Sequence, residues 1–358
     1  MKKILITCLF VVISISAFNS KALSQQKTKT ADRDRDDRDS RNFGQQHVPG
    51  TWSAYIEDEK VYIDFTGADW NSGRTFLLSE LGTLPTGSEA TFNMTREAGT
   101  VTFKGEFEGG KGRGFYKFAP NATFKTYLEQ KGYKNLDEEL MLHIFFTDIN
   151  KGYFDFLNAN GYAKVSNNQL KDLAEQDLNR KVMVDYFDLF KAEGYGHQTL
   201  DKIVELREHG VNASFVNSFH QMGYKSIPLD KVLELRDHGV TPSFINQFAK
   251  MGYKNISLDE AQDLRDHGVS PKFINSMEEM GYKGITLDKA QELRDHGVNV
   301  NFIKSIQALG FKDLSLDKAQ ELVDHGVTAS YIQKMKSKGT NAHTLDDYIR
   351  LRDNGVNE

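Results

Sequence analysis

Between residues 49 and 120, apolar and polar positions alternate in short runs: Trp52–Ile56, Val61–Phe65, Ala90–Met94, Val101–Phe107 and Phe115–Phe118. Side chains two apart share one face of a strand, so each run reads as a half-buried β-strand. Glu57–Glu59, Gly82–Gly87, Ala98–Gly99 and Gly109–Gly112 supply the turns. The pattern predicts a compact antiparallel sheet of five or six strands, with Leu77–Leu81 readable as a strand or as a short helix.

Beyond residue 120 the period lengthens. Large apolar residues stand eight and four positions before a glycine: Phe244 and Phe248 before Gly252, Tyr186 and Phe190 before Gly194, Tyr153 and Leu157 before Gly161, Phe124 and Leu128 before Gly132. That spacing is helical. A His-Gly pair recurs at His209, His238, His267, His296 and His325, with Asn354-Gly355 as a variant, always 29 residues apart. Gly194, Gly223, Gly252, Gly281, Gly310 and Gly339 keep the same interval. Two markers locked at one period signal a repeat architecture. Gly132 and Gly161 extend it upstream, and the 33 residues from Gly161 to Gly194 give that copy four extra.

The unit Ser257–Gly281 shows how each copy folds. Ser257 is an N-cap, Glu260 completes a capping box, and Leu258, Ala261 and Leu264 fall on one face. Gly268 ends the helix in a left-handed cap. Ser270 and Pro271 start a second helix, whose apolar stripe is Phe273, Ile274, Met277 and Met280. Helices of about ten residues are too short to stand alone, so neighbouring units must stack. The expected fold class is α+β and multidomain, a small antiparallel β domain followed by an α-solenoid of helical hairpins. Sixteen helices are expected from about Thr123 to Asn354.

The remaining segments complete the domain plan. Lys2 and Lys3, the apolar run Ile4–Ala17 and small residues near 20–24 read as a signal peptide ending at residue 22 or 24. Residues 23–48 include an alternating Asp/Arg stretch without large apolar residues and read as a charged disordered linker. The β domain takes 49–120. The solenoid takes 121–358, degenerate over 121–194 and regular over 195–358. This plan implies an exported protein, periplasmic or secreted, with no transmembrane segment after signal removal.

Charge and chemistry narrow the function. The net charge of −5 would become −8 on losing Lys2, Lys3 and Lys21. An acidic chain argues against a nucleic-acid partner, which needs clustered lysine and arginine. The only cysteine, Cys8, lies inside the apolar run, so the folded part has no cysteine chemistry. Gly105–Gly112 approaches a phosphate-binding loop, but Gly112 replaces the required Ser or Thr and a strand follows, so it reads as a hairpin turn. No nucleophile–base or zinc-protease motif is visible. No catalytic residue, cofactor or metal site is assigned, and the chain reads as a non-enzyme.

The five repeat histidines invite a metal, with Asp237, Asp266, Asp295 and Asp324 as added ligands. Equivalent residues of stacked repeats lie in a row, however, whereas zinc needs three or four ligands around one point. Histidines at helix C-termini, interacting with the dipole and last carbonyls, are the plainer expectation. The pairs Arg236-Asp237, Arg265-Asp266 and Arg294-Asp295 should form a ladder between layers, which Val323 interrupts. Exposed positions should vary, as at Lys231, Glu260, Lys289 and Lys318 on first helices and Asn217, Gln247, Glu278 and Gln307 on second ones. The last helix carries Leu345, Tyr348, Ile349 and Leu351. Tyr348, Ile349 and Leu351 are candidate partner contacts, or a self-association surface, if that stripe is exposed.

Trp52-Ser, Arg96–Phe107, the Gly112-x-Gly-x-Tyr-x-Phe-Ala-Pro-Asn segment and the LRDHGV…FI…MGY units together resemble a bacterial extracytoplasmic module. It is similar to regions that follow the membrane peptidase domain in some BlaR/MecR-like zinc metallopeptidase proteins, and to stand-alone secreted proteins. The resemblance implies a place outside the cytoplasm and a role in sensing or protein interaction. The peptidase motif and membrane helices are absent here, so protease activity does not carry over. The expected function is non-catalytic binding or scaffolding through the repeat surface, with another envelope protein as partner. The alternative is a cell-envelope sensor accessory that binds a small wall-derived or antibiotic ligand near the β-domain/solenoid junction.

Overall fold

A computed structural model describes residues 50–67 and 70–356. The expected signal peptide and charged linker lie outside the described residues. The chain divides into two units, one built from the sheet and one from the helices, with residues 96–99 grouped with the helical unit.

The sheet has six strands: β1 (Gly50–Glu57), β2 (Lys60–Thr66), β3 (Asn71–Leu77), β4 (Ala90–Arg96), β5 (Gly99–Glu108) and β6 (Lys111–Pro120), in spatial order β3-β2-β1-β6-β5-β4. β1 pairs antiparallel with both β2 and β6, placing Trp52 opposite Phe65 and Gly114. The alternation works as read: Trp52, Val61, Ile63, Phe65, Phe103 and Phe107 are buried. Trp52 meets Phe92 and Phe103 edge-on at 5.8 and 5.7 Å, and its indole N–H donates to the Phe115 carbonyl at 3.0 Å. Gly105 is required here, because a Cβ would stand 2.7 Å from the Trp52 ring.

β3 was not specified by the pattern. In Asn71–Leu77 only Phe76 is buried, so the strand lacks the alternation that marks its neighbours. It is held by its full register with β2. A four-residue helix, α1 (Leu78–Leu81), follows it. The phosphate-loop lookalike is the β5–β6 hairpin turn, with Gly109 and Gly110 at φ 55° and 77°.

Sixteen further helices follow among the described residues. They are α2 (Ala122–Gln130), α3 (Glu138–Phe146), α4 (Lys151–Ala159), α5 (Asn167–Glu175), α6 (Arg180–Glu193), α7 (Leu200–Glu208), α8 (Ala213–His220) and α9 (Leu229–Asp237). Then come α10 (Pro242–Lys250), α11 (Leu258–Asp266), α12 (Pro271–Glu279), α13 (Leu287–Asp295), α14 (Val300–Gln307), α15 (Leu316–Asp324), α16 (Ala329–Ser337) and α17 (Leu345–Asp353). Odd-numbered helices from α3 are the first of each hairpin and even-numbered ones the second. Like packs on like in successive layers: α3 on α5, α5 on α7, α6 on α8, α10 on α12 and α14 on α16.

Both sequence markers are the same device. At His209-Gly210-Val211 the Val211 amide donates to Leu206 O and the Gly210 amide to Arg207 O, which closes a Schellman cap. Gly210 has φ 69°, and Val211 and Leu206 are both buried. At Met251-Gly252-Tyr253 the same two bonds run from Tyr253 to Phe248 and from Gly252 to Ala249. The oldest-looking copies place Asp148 and Asp177 in the left-handed position, at φ 55° and 51°. Ser257 caps α11 through Glu260 N at 3.0 Å, and Pro271 occupies the first turn of α12. Within α12, Ile274 and Met277 are buried while Phe273 and Met280 are half-buried. The four extra residues of the 33-residue copy lie in α6, which has 14 residues where its neighbours α4 and α8 have 9 and 8.

Candidate binding surfaces on the helical array

The first helices are bolted together by two charge ladders. At their C-terminal ends each histidine reaches forward one layer to an aspartate. His209 Nδ1 bonds Asp237; the same bond joins His238 to Asp266 and His296 to Asp324 at 2.5 Å, and His325 to Asp353 at 2.7 Å. His267 and Asp295 form the rung between them. Gln176 and Glu208 make an uncharged-to-charged version one layer earlier, at 3.4 Å. Every repeat histidine is thus committed through Nδ1 to one carboxylate. Among the described residues no group of three or more His, Cys, Asp or Glu comes together as a metal centre requires. The side-chain bond to Asp353 raises the His325 pKa.

The expected Arg–Asp ladder forms with different partners. The aspartates go to histidines. Each arginine instead reaches back one layer: Arg236 Nε donates to His209 O at 3.0 Å and Arg207 Nε to Gln176 O at 2.9 Å. Arg236, Arg265, Arg294 and Arg352 also lie over the rings of Phe215, Phe244, Phe273 and Tyr331, 4.8–5.4 Å from the centroids. Of these rings Phe244 and Tyr331 are buried, and Phe215 and Phe273 are half-buried beneath the guanidinium. Val323 leaves a gap, since it meets Gly297 where the other copies bring an arginine against the cap glycine.

At the N-terminal ends a lysine makes the rung. Lys202 bonds Asp230 at 2.9 Å, Lys231 bonds Asp259 at 2.5 Å, Lys289 bonds Asp317 at 2.6 Å and Lys318 bonds Asp346 at 2.5 Å. Each also pairs with a glutamate three residues on in its own helix. Partial burial works against the charge on Lys231, but the bonds from Asp259 and Glu234 outweigh it and raise its pKa. Lys231, Lys289 and Lys318 are therefore half-buried structural rungs, which corrects their reading as varied exposed positions. Glu260 stands where a lysine belongs and makes no such rung with Asp288.

The stretches that hold the second helices show no comparable charge ladder among the described residues; their rungs are the tyrosines after the marker glycines, whose hydroxyls donate to a carbonyl one layer on, as Tyr224 does to Ile256 O. Six residues before the marker glycine, Asn217, Asn246, Asn275, Lys304 and Gln333 are all exposed. Nine residues before it, Ser214, Ser243, Lys272, Asn301 and Ser330 are exposed too. Residues 212–228, 241–257, 270–286, 299–315 and 328–344, which hold these helices, contain ten lysines and three carboxylates. The stretches holding α7, α9, α11, α13, α15 and α17 (199–211, 229–240, 258–269, 287–298, 316–327 and 345–356) contain 19 carboxylates and ten lysines or arginines. The array thus has an acidic, cross-linked row and a basic, amide-rich row.

A hollow of about 390 Å³ lies against Tyr133, Phe154 and Tyr162, and two more open one layer later, beside α6. One, of about 490 Å³, is lined by Asp185, Asp188 and Glu193 of α6 with Arg207, Ser214 and Asn217. Glu193 Oε2 lies 3.2 Å from His220 Nε2, an ion-pair distance without hydrogen-bond alignment. Burial pushes the Tyr186 phenol on its wall up to about 12, against the lowering pull of Arg207. Its hydroxyl donates to Val211 O at 2.7 Å. The other hollow, of about 450 Å³, lies against Tyr162, Phe187 and His197. The sequence carried no signal for these hollows, because the interval between marker glycines does not say how closely neighbouring layers approach.

The last helix corrects the expected exposed stripe. Tyr348 is 0% and Ile349 6% exposed, and Leu351 is half-buried. The Tyr348 ring meets Phe311 edge-on at 6.2 Å and its hydroxyl donates to Ala342 O at 3.0 Å. The stripe packs back on the preceding layer, so it offers no open apolar face. No helix among the described residues is long and apolar enough to cross a membrane. No protein-family model matches the chain, and no curated protein is significantly similar to it.

Proposed function

We propose that the chain is a non-catalytic, extracytoplasmic binding or scaffold protein, and that it holds another envelope protein through the amide- and lysine-rich row of its second helices. The observation that supports this is the division of labour between the two rows. Side chains of the first helices are occupied in holding layer to layer, whereas Asn217, Asn246, Asn275, Lys304 and Gln333 repeat in register with no such duty. Amides donate and accept hydrogen bonds at once, and a net positive row suits an acidic partner surface. Location outside the cytoplasm rests on the leader-like N-terminus and on the resemblance to extracytoplasmic modules.

The test is site-specific photo-crosslinking in the intact exported chain, with the photoreactive residue at Asn246, at Asn275 or, on the first-helix row, at Asp263. The same protein should be captured from Asn246 and Asn275 and not from Asp263. Capture from Asp263 alone, or from none, refutes the proposal.

A further inference from the structure

We propose that the hollow against Tyr162, Phe187 and His197 is a binding site for a small organic carboxylate with an aromatic or branched aliphatic body. The inference is independent of the protein-binding row.

A hollow in the equivalent place one layer earlier, of about 390 Å³ against Tyr133, Phe154 and Lys164, shows that the position recurs; what sets this one apart is its lining. Seven residues before the marker glycine, the regular copies bury Val216, Ile245, Ile274, Ile303 and Ile332 completely or nearly so. Phe187 holds that position in α6 and is only half-buried. A phenyl ring at a core position has been turned toward a cavity. Tyr162 lies nearly parallel to it at 5.8 Å and 18°, and His197 stacks on Tyr162 at 4.7 Å and 28°. Gly194 and Gly196, at φ 71° and 72°, leave the opposite wall as bare backbone. At about 450 Å³ the space lies within the range of small-molecule sites. Such aromatic walls suit a ring or a compact branched chain.

The polar groups decide the charge. The Tyr162 hydroxyl donates to Gln198 O at 2.6 Å, Gln198 Nε2 to Tyr195 O at 2.7 Å and Asn160 Nδ2 to Phe156 O at 2.8 Å. His197 Nε2 is fixed by Asn160 O at 3.0 Å. The permanently charged lining group is the exposed Lys191 ammonium. No carboxylate lines this hollow, although Asp185, Asp188 and Glu193 line the one on the other flank of α6. An apolar body with one negative charge matches this lining; a cation does not.

Calorimetric titration of the intact chain with phenylacetate, phenylacetamide and phenethylammonium tests this. Phenylacetate should bind more tightly than the isosteric amide, by up to about fivefold, the upper factor for one ion pair at a partly open site. The amine should bind most weakly. Lys191→Met, at an exposed position, should bring phenylacetate down to the level of phenylacetamide and leave the amide unchanged. Phe187→Ala should weaken both. Equal affinity for acid and amide, indifference to Lys191→Met, or no binding of phenylacetate up to about 10 mM would each overturn the proposal. None of these outcomes bears on crosslinking through Asn246.

Discussion

Glu260→Lys should stabilise the array by closing the gap in its lysine ladder. Lys289 gives the geometry to copy: its ammonium lies 2.6 Å from Asp317 in the next layer, 2.9 Å from Glu292 in its own helix and 2.9 Å from the Gln320 side-chain Oε1. Asp288, Asp263 and Gln291 hold the equivalent places around residue 260. Exposed ion pairs contribute about 0.2–1 kcal/mol each, and Asp317 is 85% exposed, so the lower half of that range applies to the inter-layer pair. Removing the like-charge neighbours Glu260 and Asp263 adds about 0.2–0.5 kcal/mol. Ordering the lysine side chain takes part of this back. The net expectation is about 0.5 kcal/mol, a rise in Tm of roughly 1–2 °C for an array of this size. Thermal melts at low salt and in 1 M salt, where the screening length falls to about 3 Å, provide the assay. The gain should shrink at high salt and should fall in an Asp288→Asn background. No gain at low salt, or the same gain with Asp288→Asn, refutes the reasoning.

Gly252 has φ 102°, so Gly252→Val should cost on the order of 1–2 kcal/mol by forcing a β-branched residue into left-handed backbone, seen as a lower denaturation midpoint; an unchanged midpoint contradicts the cap. The His325 imidazole, held above its ordinary pKa by Asp353, should titrate lower in Asp353→Asn by NMR; its stabilising effect is full below the unfolded-state pKa and is lost as pH rises through the raised folded value. Asp347 accepts from the Thr344 and His343 amides, which lower its pKa to about 2; its stabilising effect is present above the unfolded value near 4 and should fade between about pH 4 and 2, and Asp347→Asn should abolish that window in acid denaturation. Tyr348→Asp should melt the last layer rather than detach a partner, because the ring is buried; amide exchange over 329–356 should accelerate, and unchanged exchange there would contradict the packing.

The helical unit was largely legible in sequence because its punctuation is chemical. A glycine followed by Val or Tyr, with an apolar residue five places back, is what a Schellman cap needs, and those residues recur at a fixed interval. The sheet was legible wherever alternation was complete, and β3 escaped because its outer face and most of its inner face are polar. The ladders were half legible. Arg236 and Asp237 were expected in a ladder between layers, and both do reach the preceding layer, but each to His209, 27 and 28 residues away, and not to an Arg or Asp there. For Tyr348 and Ile349 the apolar stripe was visible and its direction was not. Which neighbour covers a stripe depends on the stacking sense of the hairpins, and no periodicity in one helix encodes that. The hollows at α6 depend in the same way on how closely neighbouring layers approach, which no single helix encodes.

The fixed offset of every rung makes the regular layers interchangeable parts. Histidine finds aspartate 28 residues on, and tyrosine finds a carbonyl 32 residues on, as Tyr224 finds Ile256 and Tyr253 finds Ile285. Excising residues 239–267 would present His238 with Asp295, Lys231 with Asp288 and Tyr224 with Ile285, the same residue types in each role. Loss of a copy therefore removes one unit and one junction and leaves no mismatched seam, so the array tolerates growth or shortening in whole steps. The layer of α6 is the exception. Its rungs span 32 residues, from Gln169 to Asp201 and from Gln176 to Glu208, and no regular copy can replace it. Among the described layers it is marked by its own offset, so a position beside it is distinguishable from its equivalents in the regular layers and serves as an origin from which they are counted.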